Sequence, residues 1–123
     1  MILDHIGLTV SDGAASKQFF SAALAPLGIT VLMEVQGWVG MGKGSKPEFW
    51  FGEGGVAQGK LHLAFSADNR AQVRAFYEAA LAAGATDNGP PGIRPHYHPN
   101  YYGAFVIGPD GHNVEAVCHG AEG

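Results

Sequence analysis

The stretch LDHIGLTVSD at residues 3–12 decides the fold, because KLHLAFSADN at residues 60–69 repeats its pattern. Each stretch carries a histidine at its third position and, near its end, an Asp that can cap a following helix. A second pair of stretches is related in the same way: KGSKPEFWF at 43–51 sets Glu48 against Glu115 in DGHNVEAVC at 110–118. A repeat of about 60 residues predicts two similar modules that bury their faces against one another.

The elements predicted between these stretches follow the same order in both halves. Each half begins with an apolar strand, continues with a helix capped by Ser11 or Asp12 in the first case and Asp68 in the second, and ends in further strands. The predicted strands lie at 2–10, 29–35, 35–42, 47–52, 60–66, 85–86, 101–108 and 112–119, and the helices at 13–25 and 69–83. The glycine-rich segment 52–59 is the predicted linker. The sequence therefore predicts an α+β chain of two βαβββ modules, at residues 1–53 and 60–119.

The composition excludes several classes of protein. Of the 123 residues, 46% are hydrophobic and only 15% are charged, against about 25% charged in an average domain, which favours a homodimer that covers apolar surface. The net charge of −4 and the lack of a basic run argue against nucleic acid and anionic membranes as partners. The single cysteine, Cys118, excludes a disulfide framework. With no signal peptide and no apolar run of about 18 residues, we expect a cytoplasmic protein.

Two histidines and a glutamate form a candidate metal site. His5 and His62 lie within the repeated strands, where a single histidine is more often a core residue bonded to backbone. The repeat, however, places both at equivalent inward positions. Glu115 lies among Val114, Ala116 and Val117 on a late strand, so its carboxylate must be paired, protonated or ligated. Two His and one Glu suit Fe(II), Mn(II) or Ni(II) with coordination positions open to a substrate.

The doubled pattern resembles the vicinal oxygen chelate superfamily, which includes glyoxalase I, extradiol dioxygenases, fosfomycin-resistance transferases and bleomycin-binding proteins. The resemblance is carried by DHIGLTVSD at 4–12, LHLAFSA at 61–67 and GPDGHNVEAV at 108–117. It implies a half-open barrel built around a divalent metal (Fe, Mn, Ni or Zn) and a homodimer. His5, His62 and Glu115 match its metal ligands, and Glu48 matches a fourth ligand as in glyoxalase I. The alternative for Glu48 is a carboxylate at a sheet edge.

The sequence departs from particular members of that superfamily. The chain has only seven Lys and Arg residues, few for the glutathione adduct that glyoxalase I binds. Phe105 stands where extradiol dioxygenases carry a Tyr, so a phenolic donor is missing there. Bleomycin-binding proteins lack the metal triad that this sequence retains.

The segment RPHYHPNYYG at 94–103 is the candidate substrate loop. Its polar side chains suit a rim that holds a small molecule, with Arg94 binding a carboxylate or phosphate. The predicted substrate-binding residues are Arg94, His96, Tyr101, Tyr102 and Trp50, and the predicted proton carriers are Glu115, Glu48 and His98. The alternative is a proline-ordered loop that covers a sheet edge or a dimer contact, with Arg94 paired to Asp87. His112 is predicted to be exposed in a turn, and Cys118 to be a buried apolar residue.

Three functions are compatible with these residues. The first is a metalloenzyme of the glyoxalase/dioxygenase type, in which a divalent metal chelates a small oxygen-bearing substrate. The second is a non-catalytic protein of the bleomycin-resistance type that sequesters a small aromatic or apolar ligand. The third is a structural or regulatory dimer with a vestigial site. Metal content of the purified protein distinguishes the first from the other two.

Overall fold

The computed structural model describes residues 3–56 and 60–120, and both halves contain a helix and several strands. The elements of the first half are β1 (Ile6–Thr9), α1 (Gly13–Leu24), β2 (Thr30–Val35), β3 (Trp38–Gly42) and β4 (Phe49–Gly52). Those of the second half are β5 (His62–Ser66), α2 (Arg70–Ala82), β6 (Thr86–Asp87), β7 (Gly92–Ile93), β8 (Tyr102–Ile107) and β9 (Asn113–Cys118). Short 3₁₀ turns lie at Ala25–Leu27 and Pro109–Gly111. The predicted linker at 52–59 lies partly outside the described residues, since 57–59 are not among them.

The strands form two sheets, one from each half of the chain. The first sheet has the order β1-β4-β3-β2, and the second has the order β5-β9-β8-β6 with β7 also paired to β8. In both sheets the first strand of the half runs parallel to the last one, β1 to β4 and β5 to β9. The α+β class is thereby confirmed. No ladder of hydrogen bonds joins the two sheets among the described strands, so the half-open barrel stays a prediction.

The helices begin at side-chain caps. Asp12 accepts a hydrogen bond from the backbone N–H of Ala15 at 3.0 Å, as predicted for α1. The predicted cap of α2, Asp68, is wrong by one residue. Asn69 has the extended backbone of an N-cap and accepts from the N–H of Gln72 at 2.9 Å, while the N–H of Asp68 donates to the Gln72 side chain.

A shared apolar core joins the two halves. Helices α1 and α2 pack on one another, and α2 also packs on β8 and β9. Phe20 is fully buried and touches Phe49 and Phe51, and the ring of Phe49 meets that of Phe65 across the two sheets at 5.2 Å. These aromatic contacts, together with the helix pair, hold the sheets side by side.

Strand alternation places the chemistry-bearing residues of the second sheet on the face opposite α2. Leu63 and Val114 are paired across β5 and β9 and are buried in the core with Val106. Side chains of a strand alternate between its faces, so His62, Phe105 and Glu115 point the other way. We call this side the open face of the second sheet.

The open face of the first sheet, opposite α1, carries two tryptophans that lie over glycines. A Cβ added at Gly40 would come within 2.8 Å of the Trp50 ring, and one added at Gly52 within 2.7 Å of the Trp38 ring. Cβ atoms in proteins essentially never come so close to a neighbour, so the glycines provide the space in which both indoles lie on the strands. Trp38 and Trp50 are both half-buried.

Two sequence predictions about single residues have opposite outcomes. Cys118 is buried and only 2% exposed, as predicted. The prediction that His112 is exposed is wrong, because the side chain is fully buried and its Nδ1 accepts the N–H of Leu61 at 3.2 Å. Burial lowers the pKa of His112 below its ordinary value.

Neither helix of the described chain is long and apolar enough to cross a bilayer.

Candidate functional site

A hydrogen-bonded pair of His62 and Glu115 lies at the centre of the open face of the second sheet. The Nε2 of His62 is 2.7 Å from Oε1 of Glu115. The carboxyl group is completely buried, whereas the imidazole is 54% exposed. A buried carboxyl group without partners is costly, so this contact explains how β9 tolerates a glutamate amid apolar neighbours. It also couples a buried acidic group to a ring that a ligand can reach.

Tyr101 completes the set of partners of Glu115. Its hydroxyl donates a hydrogen bond to Oε2, the second carboxyl oxygen. Burial, and then the hydrogen bond to Glu115, raise the pKa of Tyr101 well above its ordinary value. The phenol therefore keeps its proton and remains a donor over the physiological pH range.

The arrangement fixes which nitrogen of His62 can exchange a proton with a ligand. When Glu115 is ionised its oxygens only accept hydrogen bonds, so Nε2 of His62 is the donor in this pair. The remaining ring nitrogen, Nδ1, has no hydrogen-bond partner in the described part of the chain. A neutral imidazole whose Nε2–H is held by a carboxylate can take up a proton at Nδ1, and the carboxylate stabilises the resulting charge. This is the geometry of an oriented acid–base group.

A cavity of about 510 Å³ adjoins His62 and is lined by residues from both halves of the chain. Of the predicted site residues it brings together His5, Glu48 and His62 on its wall. Much of the remaining wall is apolar and is formed by Ile29, Met41, Phe49, Leu63 and Phe65. A mostly apolar cavity with a few polar groups is the usual form of a small-molecule site.

The predicted metal ligands do not converge into one centre in this structure. Among residues 3–56 and 60–120, no three His, Cys, Asp or Glu side chains are grouped closely enough to hold a metal ion. His62 and Glu115 are in contact, but His5 lies just before β1 and its Nδ1 bonds to Asp4 at 2.8 Å. A hydrogen bond from Lys46 holds the pKa of Asp4 below its ordinary value. In this arrangement two of the three predicted ligands are in contact, and the third bonds to its neighbour Asp4.

The substrate loop contributes Arg94 and Tyr101 to the open face of the second sheet. The Arg94 guanidinium lies over the Phe105 ring, 5.3 Å from its centroid, and the His62 ring lies 6.2 Å from the same centroid. The alternative pairing of Arg94 with Asp87 is wrong, because Asp87 accepts from the Tyr77 hydroxyl and the N–H of Gly89 instead.

The other predicted site residues lie farther from the pair. His98 bonds through Nε2 to Nδ1 of His119 at 2.8 Å and meets Tyr101 only ring to ring. His96 is exposed and packs on Tyr97. Tyr102 lies on the helix side of the sheet, where its hydroxyl accepts from Arg74. Trp50 lies on the open face of the first sheet, in a shallow cleft that His5 also lines.

Two features of the site were missed from the sequence. Phe105 stands where extradiol dioxygenases carry a tyrosine, but Tyr101, the residue before β8, supplies a phenolic hydroxyl to Glu115. The sequence feature that could have indicated this contact is Gly103, because a Cβ at that position would lie 3.2 Å from both the Tyr101 ring and Oε2 of Glu115. Phe105 itself is buried, and its ring contacts both the His62 ring and the Arg94 guanidinium.

Comparisons with known proteins agree with this fold. The sequence profile of the Glyoxalase/Bleomycin resistance protein/Dioxygenase superfamily matches residues 2–116. A glyoxalase/bleomycin resistance protein from Albidiferax ferrireducens T118 is 27% identical with a TM-score of 0.85, covering 96% of this chain and 99% of that one.

Two further solved structures are more distant in sequence. A glyoxalase/bleomycin resistance protein/dioxygenase family enzyme from Burkholderia phytofirmans PsJN is 19% identical with a TM-score of 0.71, covering 94% of this chain and 96% of that one. A glyoxalase-related enzyme from Fulvimarina pelagi is 20% identical with a TM-score of 0.71, covering 94% of this chain and 86% of that one. No curated protein matches the sequence. From the profile match over most of its length, the chain belongs to the Glyoxalase/Bleomycin resistance protein/Dioxygenase superfamily.

Proposed function

We propose that this protein is an enzyme that transfers a proton on a small oxygen-bearing substrate bound beside His62. The observation that carries the proposal is the contact between a fully buried carboxyl group, Glu115, and a half-exposed imidazole, His62, at 2.7 Å. The contact satisfies the buried carboxyl group and at the same time gives an accessible imidazole the partner that a general base needs to fix its tautomer and orientation.

The proposed step is removal of a proton from a carbon next to a substrate carbonyl. Nδ1 of His62 takes the proton, and Glu115 stabilises the imidazolium through Nε2–H. Tyr101 holds the second oxygen of Glu115, so the carboxylate cannot rotate away. Return of the proton to a neighbouring atom would complete an isomerisation, and loss of a leaving group would complete a lyase reaction.

Dependence on a divalent metal is a separate part of the proposal. His62 and Glu115 would supply two ligands, and His5 and Glu48, which share the cavity with His62, would have to move toward them. Fe, Mn, Ni and Zn all accept such nitrogen and oxygen ligands, and the bound ion would polarise substrate oxygens. The proton transfer above is derived from the side chains alone.

The test is exchange of hydrogen for deuterium at carbon, followed by NMR in D₂O with hydroxyacetone and pyruvate as substrates. We expect catalysed exchange in the native protein and a loss of about 10²–10⁴-fold in His62→Gln. Lys60→Gln, two residues away and exposed, is the control and should leave the rate unchanged. A rate that His62→Gln leaves intact would refute the proposal.

The same assay addresses the metal. A rate that rises with added Fe²⁺, Mn²⁺, Ni²⁺ or Zn²⁺, is abolished by a chelator and falls in His5→Ala supports the four-ligand centre. A rate that neither chelator nor added ion changes assigns the chemistry to the His62–Glu115 pair without a metal.

A second candidate function is sequestration of a small aromatic or apolar ligand, as in proteins of the bleomycin-resistance type. The observation that favours it is the apolar wall of the cavity, with Met41, Phe49 and Phe65. Under this function, binding of aromatic compounds would be lost in Phe65→Ala, and no exchange at carbon would be detected with either substrate.

The remaining expectations concern the whole assembly. We propose that the two sheets, as tandem βαβββ modules, form the half-open barrel that the resemblance implies. A homodimer that acts on a small molecule in the cytoplasm, with neither nucleic acid nor membrane as partner, completes the proposal. Light scattering by the purified protein checks the dimer.

A further inference from the structure

The guanidinium of Arg94 lies in a cradle built for it on the open face of the second sheet. A Cβ added at Gly89 would lie 3.1 Å from Nη2 of Arg94, and one added at Gly92 would lie 3.1 Å from Nη1. The Phe105 ring lies against the guanidinium, and the carbonyl of Pro90 accepts a hydrogen bond from Nη2 at 2.7 Å. Two glycines, an aromatic ring and a carbonyl thus fix the position of one cation.

The backbone around Arg94 is also held in place. Its N–H donates to the carbonyl of Tyr101 at 2.7 Å, and the N–H of Phe105 donates to Gly89 at 2.8 Å. Gly89 has a φ of +144°, which residues with a side chain rarely adopt. The cation is therefore positioned before any ligand arrives, which lowers the entropic cost of binding.

In the part of the chain that the structure describes, this cation has no acidic partner. Within the described ranges no Asp or Glu forms an ion pair with Arg94, and its Nε and Nη1 have no hydrogen-bond acceptor. Half-buried arginines normally bind a carboxylate or a phosphate, because the planar fork matches two oxygens. An oriented but unpaired guanidinium next to a proposed reaction site indicates an anionic ligand.

We propose that Arg94 makes the site selective for small molecules that carry a carboxylate group. This inference rests on the proposed function, since it takes the surroundings of His62 as the substrate site. The Arg94 guanidinium and the His62 ring lie 5.3 and 6.2 Å from the centroid of the same Phe105 ring, so the carboxylate-binding group and the proposed base border one side chain. A monoanion fits better than a phosphate, because one guanidinium balances one charge and Glu115 lies on the same face.

The experiment compares carboxylates with their neutral amides. Binding of pyruvate and benzoate, and of pyruvamide and benzamide, is measured by calorimetry and by the ¹⁵N chemical shift of Arg94 Nε. We expect the carboxylates to bind at least about tenfold more tightly, the usual effect of a charged hydrogen bond. Arg94→Ala should abolish that preference and Arg94→Lys should reduce it, while amide binding stays the same.

Arg70→Ala is the matched control. Arg70 also lies over an aromatic ring, that of Tyr102 at 5.0 Å, but on the side of helix α2. The Arg70→Ala substitution removes the same charge and the same type of contact as Arg94→Ala. Because Arg70 lies outside the proposed site, the carboxylate preference should persist in that variant. Equal binding of acids and amides, an equal effect of Arg70→Ala, or tighter binding of inorganic phosphate than of either carboxylate would overturn the proposal.

The measurement of carboxylate binding does not depend on catalysis. His62→Gln should retain carboxylate binding within about twofold, because it leaves the cradle of Arg94 intact. Carboxylate selectivity without any exchange at carbon would uphold this inference and refute the proposed function. Exchange on pyruvate that requires His62 and is unchanged in Arg94→Ala would do the reverse.

Discussion

At the residue scale, His112 is a neutral imidazole enclosed by the fold. Nδ1 accepts the N–H of Leu61, so the neutral ring carries its proton on Nε2, which has no hydrogen-bond partner in the described chain. Protonation at Nδ1 would remove the acceptor of Leu61 and place a charge in an apolar site. Burial accordingly lowers the pKa of His112 from its ordinary 6.5.

We predict that His112 makes the protein less stable in acid. The unfolded chain takes up a proton at residue 112 as the pH falls below about 6.5, while the folded chain resists it. The free energy of unfolding should therefore fall as the pH falls from 6.5 toward 5, by at most about 1.4 kcal/mol per pH unit. Urea titrations at several pH values measure this slope.

His112→Asn provides the comparison, because an Asn oxygen can accept the N–H of Leu61 and does not titrate. The acid slope should become shallower in that variant. His96→Asn, an exposed position, should retain the full slope. If both variants lose it equally, the acid sensitivity does not arise from burial of residue 112.

At the element scale, the start of β8 shows how one glycine permits a contact between strands. Gly103 lies between Tyr101 and Phe105 and pairs with Val117 of β9. With no side chain at this position, the Tyr101 ring can cross the strand and reach Glu115 on the neighbouring strand. The backbone of Gly103 is not in the left-handed region, so space, not conformation, requires a glycine.

Gly103→Ala should therefore cost about 1–3 kcal/mol of unfolding free energy, the usual cost of an overpacked site. A methyl group there lies 3.2 Å from Oε2 of Glu115 and from the Tyr101 ring. Gly55→Ala is the control, since its Cβ would meet Thr9 at an ordinary 3.6 Å. Chemical denaturation of both variants measures the difference, and similar stabilities would contradict this account.

The positions of the helices and strands and the contacts between them show how much of the fold and of the site the sequence could predict. Helix α1 and strands β2 to β5 follow from apolar periodicity and from Gly, Pro and Asp at their ends, so their predicted and observed positions agree within a few residues. The contact of Tyr101 with Glu115 did not follow, because it depends on the register of β8 against β9. The burial of His112 depends likewise on a bond from Leu61, about fifty residues earlier, which no local pattern records.

At the scale of the whole molecule, the first sheet has an uncovered apolar face. Met33 and Val35 are each 46% exposed and flank the half-buried Trp38 and Trp50. Met33 pairs with Gly40 and Val35 with Trp38, so these side chains share one side of the sheet. A monomer seldom exposes such a continuous apolar surface to water.

We predict that a second copy of the chain covers this face. Light scattering should give twice the chain mass of 12.8 kDa, and Val35→Lys should give the single mass, because a buried lysine without a partner is costly. Val56→Lys, at a position that is 89% exposed, should leave the dimer intact. A native protein of single mass in dilute buffer would refute the prediction.

Gly40 and Gly52 have a consequence for how this protein tolerates substitution. A survey of all single variants normally finds glycines in strands to be replaceable by alanine at modest cost. Here the space above each is filled by an indole ring at less than 3 Å. In such a survey, substitutions at these two positions should therefore lower stability as much as substitutions of fully buried leucines. Related sequences should change residues 40 and 50 together, with a side chain smaller than that of Trp50 wherever a residue larger than Gly40 is present.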